Sequence, residues 1–197
     1  IKQIRPDILH CHSSKAGIIG RSAAVGGHVS KVFYTPHAYA FQAWEFSESK
    51  KRFFAFLERV FSRFLTTRTF NVSNGERNIA LQRHIDRPDK FKVVYNGIPD
   101  VALPSREEAL RLLGLSDLPD GAVVVGSTVR LAKQKDPMTF VRIARAVVER
   151  NPLAHFVCVG DGDLQDEVAR FVADNGLSDN VHLLGYRDDA ELIVKAF

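Results

Sequence analysis

The sequence predicts an α/β protein with two domains, each built on a parallel sheet. Two observations carry that reading. Short apolar runs alternate along the chain with amphipathic segments of helical period, and the segment Asn96-Gly97-Ile98-Pro99-Asp100 interrupts the alternation sharply. Strands joined by helices imply right-handed crossovers, and sheets of this kind take ligands beyond the carboxyl ends of their strands. Residues 1–100 form the first domain, 101–121 a crossing segment with a short helix, and 122–197 the second domain.

In the first domain, residues 1–5 read as the tail of a helix, and Pro6-Asp7 leads into an apolar strand at 8–11. His12 to Arg21 turns into a helix of small residues running to about Val25, with Ser13 or Ser14 as its cap. Gly17 and Gly20 allow close approach of backbone or ligand. A second strand at 32–35 stops at Pro36-His37-Ala38. Residues 50–65 form an amphipathic helix with one apolar stripe, Phe53, Phe56, Leu57, Val60, Phe61 and Phe64, which Phe54 and Leu65 widen. Lys50, Lys51, Arg52, Arg59, Arg63 and Arg68 surround the stripe against Glu58. Two readings stand: a core-facing helix with a solvated basic back, or an interfacial helix resting on anionic lipid through Lys50, Lys51, Arg52, Phe53 and Phe54. A third strand at 69–72, a helix capped by Ser73 and running to Leu81, and a fourth strand at 91–95 complete the domain.

Ser105-Arg106-Glu107-Glu108 is a capping box whose helix stops at Gly114. The apolar run 122–125 is a buried strand, and residues 126–137 are the loop from it to a helix carrying Phe140, Val141, Ile143, Ala144, Val147 and Val148. Asp136 caps that helix and Pro137 occupies its first position. Arg130, Lys133 and Lys135 thus lie beside the partly positive end of a helix, where a diphosphate is the natural guest. A solvated basic loop is the alternative. Residues 154–159 form a strand ending in Gly160-Asp161-Gly162, and a helix then stops at Gly176. A strand at 181–184 ends in Gly185-Tyr186-Arg187, and Asp188 caps the last helix.

The chain has 197 residues, is 45% hydrophobic and carries a formal charge of +4. Residues 1–100 hold 16 basic against 8 acidic side chains, and residues 101–197 hold 11 against 15. A basic half suits nucleic acid or an anionic membrane, but no nucleic-acid-binding signature accompanies it. No stretch approaches the roughly 20 apolar residues that span a bilayer, and no signal pattern begins the chain. Cys11 and Cys158 sit in apolar strands and read as reduced packing residues of a cytoplasmic protein. Neither paired aspartates nor a His/Cys cluster occurs at metal-ligand spacing.

The run Val125-Gly126-Ser127-Thr128-Val129-Arg130-Leu131, followed by Gln134-Lys135-Asp136-Pro137, resembles the phosphate loop of retaining nucleotide-sugar glycosyltransferases of family 4 type with the GT-B fold. Asp7-Ile8-Leu9-His10-Cys11-His12-Ser13-Ser14-Lys15-Ala16-Gly17, Thr35-Pro36-His37, Asn96-Gly97-Ile98 and Val159-Gly160-Asp161-Gly162 resemble the same family. Val129 and Ala38 replace its usual glycines. The resemblance implies two Rossmann-like domains, both incomplete in this chain. The family's first strand would precede Ile1 and its E-x7-E segment would follow Phe197, so the 197 residues alone are expected not to turn over.

The resemblance further implies that Arg130 and Lys135 grip the diphosphate of a UDP- or GDP-sugar, with Gly160 beside them and Tyr186 and Arg187 at the base. His37 lies next to the transferred sugar, and Ser14, Lys15 and Gly17 belong to the acceptor-side loop. Fixed cations then stabilise the leaving group where other transferases use a metal, so no cofactor is expected. Retention of configuration and a lipid-linked saccharide acceptor for surface polysaccharide complete the expectation. A nucleotide-sugar epimerase of the same fold and a non-catalytic membrane module are the competing classes.

Overall fold

A computed structural model describes residues 1–98 and 100–197. Pro99, inside the sequence break at 96–100, lies outside the described residues. The chain divides into two compact units, Ile1–Pro99 and Asp100–Phe197.

In the first unit, β1 (Ile8–His12), β2 (Lys31–Thr35), β3 (Arg68–Asn71) and β4 (Phe91–Val93) form a parallel sheet in sequence order. The connecting helices are α1 (Ser14–Gly27), α2 (Glu48–Leu65) and α3 (Asn74–Gln82). All three meet the sheet face that carries Cys11, Tyr34 and Asn71. Gly20 of α1 lies against the Cys11 sulfur, Tyr34 donates to Glu58 of α2 at 3.0 Å, and Asn71 donates to Glu76 of α3 at 3.3 Å. On the other face, the rings of His10, Phe33 and Phe70 stand 5.3, 5.6 and 6.3 Å apart.

Helix α2 corrects the core-facing reading for half of its stripe, since Leu57, Val60 and Phe61 are half-buried and the other three positions are not. Its buried residues are Ala55, Glu58 and Ser62, whereas Phe53, Phe56 and Phe64 are exposed. An ion pair decides the orientation: Arg21 of α1 reaches Glu58 at 3.0 Å with both side chains out of water. Arg21 also donates to the Gly17 carbonyl at 2.9 Å, and its guanidinium sits 3.9 Å over the Tyr34 ring. A buried charge pair is tolerable only when its remaining hydrogen-bonding capacity is satisfied, and these contacts do that. Phe54 turns inward, stacked on Phe46 and packed at the edge of the core.

In the second unit, α4 (Arg106–Leu112) precedes the parallel sheet of β5 (Val123–Thr128), β6 (Ala154–Val159) and β7 (Val181–Leu183), in the order β5-β6-β7. The crossovers are α5 (Pro137–Val148) and α6 (Gln165–Asp174), and α7 (Ala190–Ile193) follows β7. Every residue of β6 is buried. Val157 and Val159 pack with Val124, Ala109, Leu113 and Ile193, while Ala154 and Phe156 pack with Val141, Ala144, Val168 and Val181. A strand covered on both faces reads as a nearly continuous apolar run for this reason, interrupted here by His155.

Several local expectations change. Residues 1–5 make one turn closed by Arg5 N–H to the Ile1 carbonyl, ended by Arg5 at φ 49 and Pro6. Residues 126–128 are strand rather than loop, paired with Val157, Cys158 and Val159. Ser105 caps α4 through Glu108 N–H at 3.1 Å, but the Glu108 carboxylate turns to Arg111 instead of closing the box. The residue before α7 is Asp189, not Asp188, and it makes no side-chain cap because Arg187 holds its carboxylate. Both cysteines are free and buried, and burial pushes the Cys158 thiol up to about 11.

Candidate functional site

The carboxyl ends of β5, β6 and β7 open on a cavity of about 280 Å³ whose lining includes Arg130, Gly160, Asp161, Tyr186 and Arg187. Backbone builds its walls. Leu131 N–H donates to the Asp161 carbonyl at 2.7 Å, Leu164 N–H to the Leu131 carbonyl at 2.9 Å, and Gly160 N–H to the Gly185 carbonyl at 2.7 Å. These bonds require the loops to touch. Gly160 has φ 136, and a Cβ there would strike the Val129 carbonyl oxygen; one on Gly162 would sit 2.5 Å from the Leu131 carbonyl oxygen. Only glycine tolerates both the conformation and the approach.

Leu131, buried, anchors the loop and leaves Arg130 exposed at the cavity. A 3₁₀ turn, Lys133–Lys135, then leads to Asp136, which caps α5 by accepting from Thr139 N–H at 3.3 Å. Lys135 stands in that turn, exposed, and is not among the residues lining the cavity. At the other wall, the fork of Arg187 is held bidentately by Asp189, at 2.8 and 2.7 Å. That hydrogen bonding holds the Asp189 carboxyl below its ordinary range and raises Arg187. Tyr186, 72% exposed, is the neighbouring side chain left open to a planar ligand.

The first unit has its own cluster at the carboxyl end of β2. His37 and Ala38 take φ values of 50 and 77, a region that favours glycine and costs an alanine strain. The turn is pinned by Glu76, a buried carboxylate at the start of α3. Its Oε1 accepts from Ala38 N–H at 2.7 Å and its Oε2 from Val72 N–H at 2.8 Å. His37 Nε2 lies 2.9 Å from His12 Nδ1 with the rings stacked, and the His12 ring is 4.2 Å from that of His10. One proton serves the shared bond, so the tautomers of His12 and His37 are complementary. Burial first, then His12 and His37, lowers the His10 pKa. Ser14 accepts from Ala40 N–H at 3.1 Å, Lys15 is exposed, and Gly17 is buried under the Tyr34 ring, which a Cβ would meet at 2.5 Å. Gly17 is a packing glycine, as is Gly20.

The model of the family described as Glycosyltransferase Family 4 matches residues 1–101, and that described as Glycosyl transferases group 1 matches residues 120–197. The chain belongs to glycosyltransferase family 4. It is 34% identical, over 203 residues, to the UDP-Gal:alpha-D-GlcNAc-diphosphoundecaprenol alpha-1,3-galactosyltransferase of Escherichia coli, covering 100% of this chain and 51% of that protein. It is 28% identical over 102 residues to the Vi polysaccharide biosynthesis protein VipC/TviE of Salmonella typhi, covering 50% and 18%. Among solved structures, Anabaena HepE in complex with UDP and glucose superposes with a TM-score of 0.78 at 21% identity, over 96% of this chain and 50% of that one. The fold is therefore GT-B, and the chain spans about half the length of the E. coli relative.

In this member of the family the cavity gathers four residues singled out by sequence, Arg130, Gly160, Tyr186 and Arg187, while Lys135 lies outside its lining. Sequence reading missed His12, Glu76 and Asp189. Glu76 had a signal, since Ser73-x-x-Glu76 is a capping-box pattern; Ser73 does accept from Glu76 N–H at 3.0 Å. Nothing local marked its carboxylate for Ala38, 38 residues away. Among the described residues, no group of three His, Cys, Asp or Glu side chains could hold a metal ion.

Proposed function

We propose that the complete glycosyltransferase moves a hexosyl group from a UDP-sugar to a hydroxyl of a lipid diphosphate-linked saccharide, with retention, in the assembly of a surface polysaccharide. One observation carries the reading: a glycine-permitted cavity at the strand ends presents Arg130 and Tyr186 together, beside the capped start of α5. The substrates named for the E. coli relative and the UDP in the HepE complex support UDP as the nucleotide and a polyprenyl diphosphate as the acceptor's carrier.

In this reading Tyr186 stacks on the uracil, and Arg130 and Lys135 take the diphosphate. As the bond from the anomeric carbon to the β-phosphate oxygen breaks, its electrons go to that oxygen, and the fixed cations stabilise the charge. The acceptor oxygen attacks from the same face and its proton passes to the leaving diphosphate. His37, aimed by His12 and held by Glu76 through Ala38, borders the transferred sugar. No divalent cation is required. The lipid carrier sets the work at the cytoplasmic surface of a membrane, peripherally.

The test is a donor and acceptor screen on the complete protein. Sugar should pass from a UDP-hexose to a polyprenyl-diphosphate saccharide, unchanged by a chelator, with an anomeric proton coupling in the product that matches the donor's. Arg130→Ala should lower kcat roughly 10²–10³-fold, as loss of one preorganised anion donor does. Conversion of a UDP-sugar to its epimer without any acceptor, or absence of binding to both UDP and GDP, refutes the transferase reading.

A further inference from the structure

Helix α2 offers a surface that the fold does not use. A helix of this amphipathic pattern ordinarily turns its apolar stripe to the core. Here the inward side is Ala55, Glu58 and Ser62, while Phe53, Phe56 and Phe64 are 56, 55 and 73% exposed. At 3.6 residues per turn these phenylalanines share one face about 16 Å long, with Val60 between them, and that face lies opposite Glu58. Rings that would each bury roughly 150–250 Å² make this a larger apolar patch than scattered surface residues produce. Trp44, 55% exposed, lies in the segment leading into the helix.

The charges name the occupant. Arg52 and Arg63 stand on one border of the row, with Arg59 between them donating to the His84 and Arg83 carbonyls at 2.8 and 3.0 Å, and Lys50 lies on the other border. Of the helix's acids, Glu58 is spent inside on Arg21, and Glu48 is paired with Lys51 at 2.9 Å. A second copy laid on this face would set like charges against each other. We propose that α2 seats the protein on an anionic lipid surface, with the phenylalanine row at the level of the acyl boundary and Arg52 and Arg63 among the headgroups. No helix among the described residues is long and apolar enough to cross a membrane, so the helix lies along the surface. The inference deepens the acceptor reading and rests on it for its purpose, since a lipid-borne acceptor must be met at such a surface.

Flotation of the complete protein with vesicles tests it. Binding should be at least about 10-fold stronger to phosphatidylcholine containing one-third phosphatidylglycerol than to phosphatidylcholine alone, and should weaken with salt. Phe53→Ser with Phe64→Ser, and separately Arg52→Glu with Arg63→Glu, should each lower it about 10-fold while circular dichroism and unfolding midpoint stay unchanged. Transfer to a short-chain, water-soluble acceptor diphosphate should be untouched in both variants, and transfer to the long-chain acceptor in vesicles should fall. Equal binding to neutral vesicles, no binding, variants that bind like the parent, or a lipid-free dimer abolished by the serine changes would overturn the proposal. No flotation of the parent protein with intact transfer to the lipid acceptor removes the α2 seat alone; intact flotation of the parent with no accepted lipid diphosphate removes the acceptor reading alone.

Discussion

Helices α2 and α5 carry apolar stripes of similar strength in sequence and use them in opposite ways. α5 turns Val141 and Ala144 against Phe156 and Val168, whereas α2 turns Glu58 inward and leaves Phe53, Phe56 and Phe64 outside. Periodicity reports which residues of a helix share a face; what lies across from that face decides whether it is the inner one. For α5 the facing side of β6, Ala154 and Phe156, is apolar and buried. For α2 the facing groups are Arg21 and Tyr34, each of which donates to Glu58 at 3.0 Å.

The difference can be broken from either side. Arg21→Met should be the most damaging change, because it strands the buried Glu58 carboxylate; breaking such a pair costs about 3–5 kcal/mol, read from urea unfolding. A value under 1 kcal/mol would mean that α2 is not oriented by this pair. Val141→Ala, on the inward stripe of α5, should cost about 1–3 kcal/mol through the cavity it leaves. A smaller effect comes from pH. Burial, then His155, lowers the His182 pKa below 6.5, and the two rings share one hydrogen bond of 3.1 Å. The unfolded chain then takes up the proton more readily. Stability complete above pH 6.5 is therefore lost as pH falls through that value toward the folded pKa, and His182→Gln should flatten the loss in urea midpoints measured from pH 7.5 to 5. Phe56→Ser, on the outward stripe of α2, should shift stability by no more than about 0.5 kcal/mol. A cost like that of Val141→Ala would place Phe56 in a core.

Much of the site was readable because it depends on neighbours in the chain. Asp136 and Pro137 announce the start of α5 through backbone chemistry within four residues, and Gly160 is demanded by a positive φ and a touching loop. The pairing of His12 with His37 and of Glu76 with Ala38 was not readable. Each joins residues 25 or 38 apart whose meeting depends on strand register. Arg187 shows the same limit at short range: its residue type suits a ligand, yet Asp189, two positions on, holds the fork.

By itself the sequence determined the alternation of strands and helices, the capped start of α5 and the family, since these follow from local propensity, spacing and motif. Tertiary structure alone decided which side of α2 faces in, which glycines serve packing and which cations remain open to a ligand. Those outcomes turn on the partner each group finds across the fold, and a buried charge or a close backbone approach has no signature until that partner is in place.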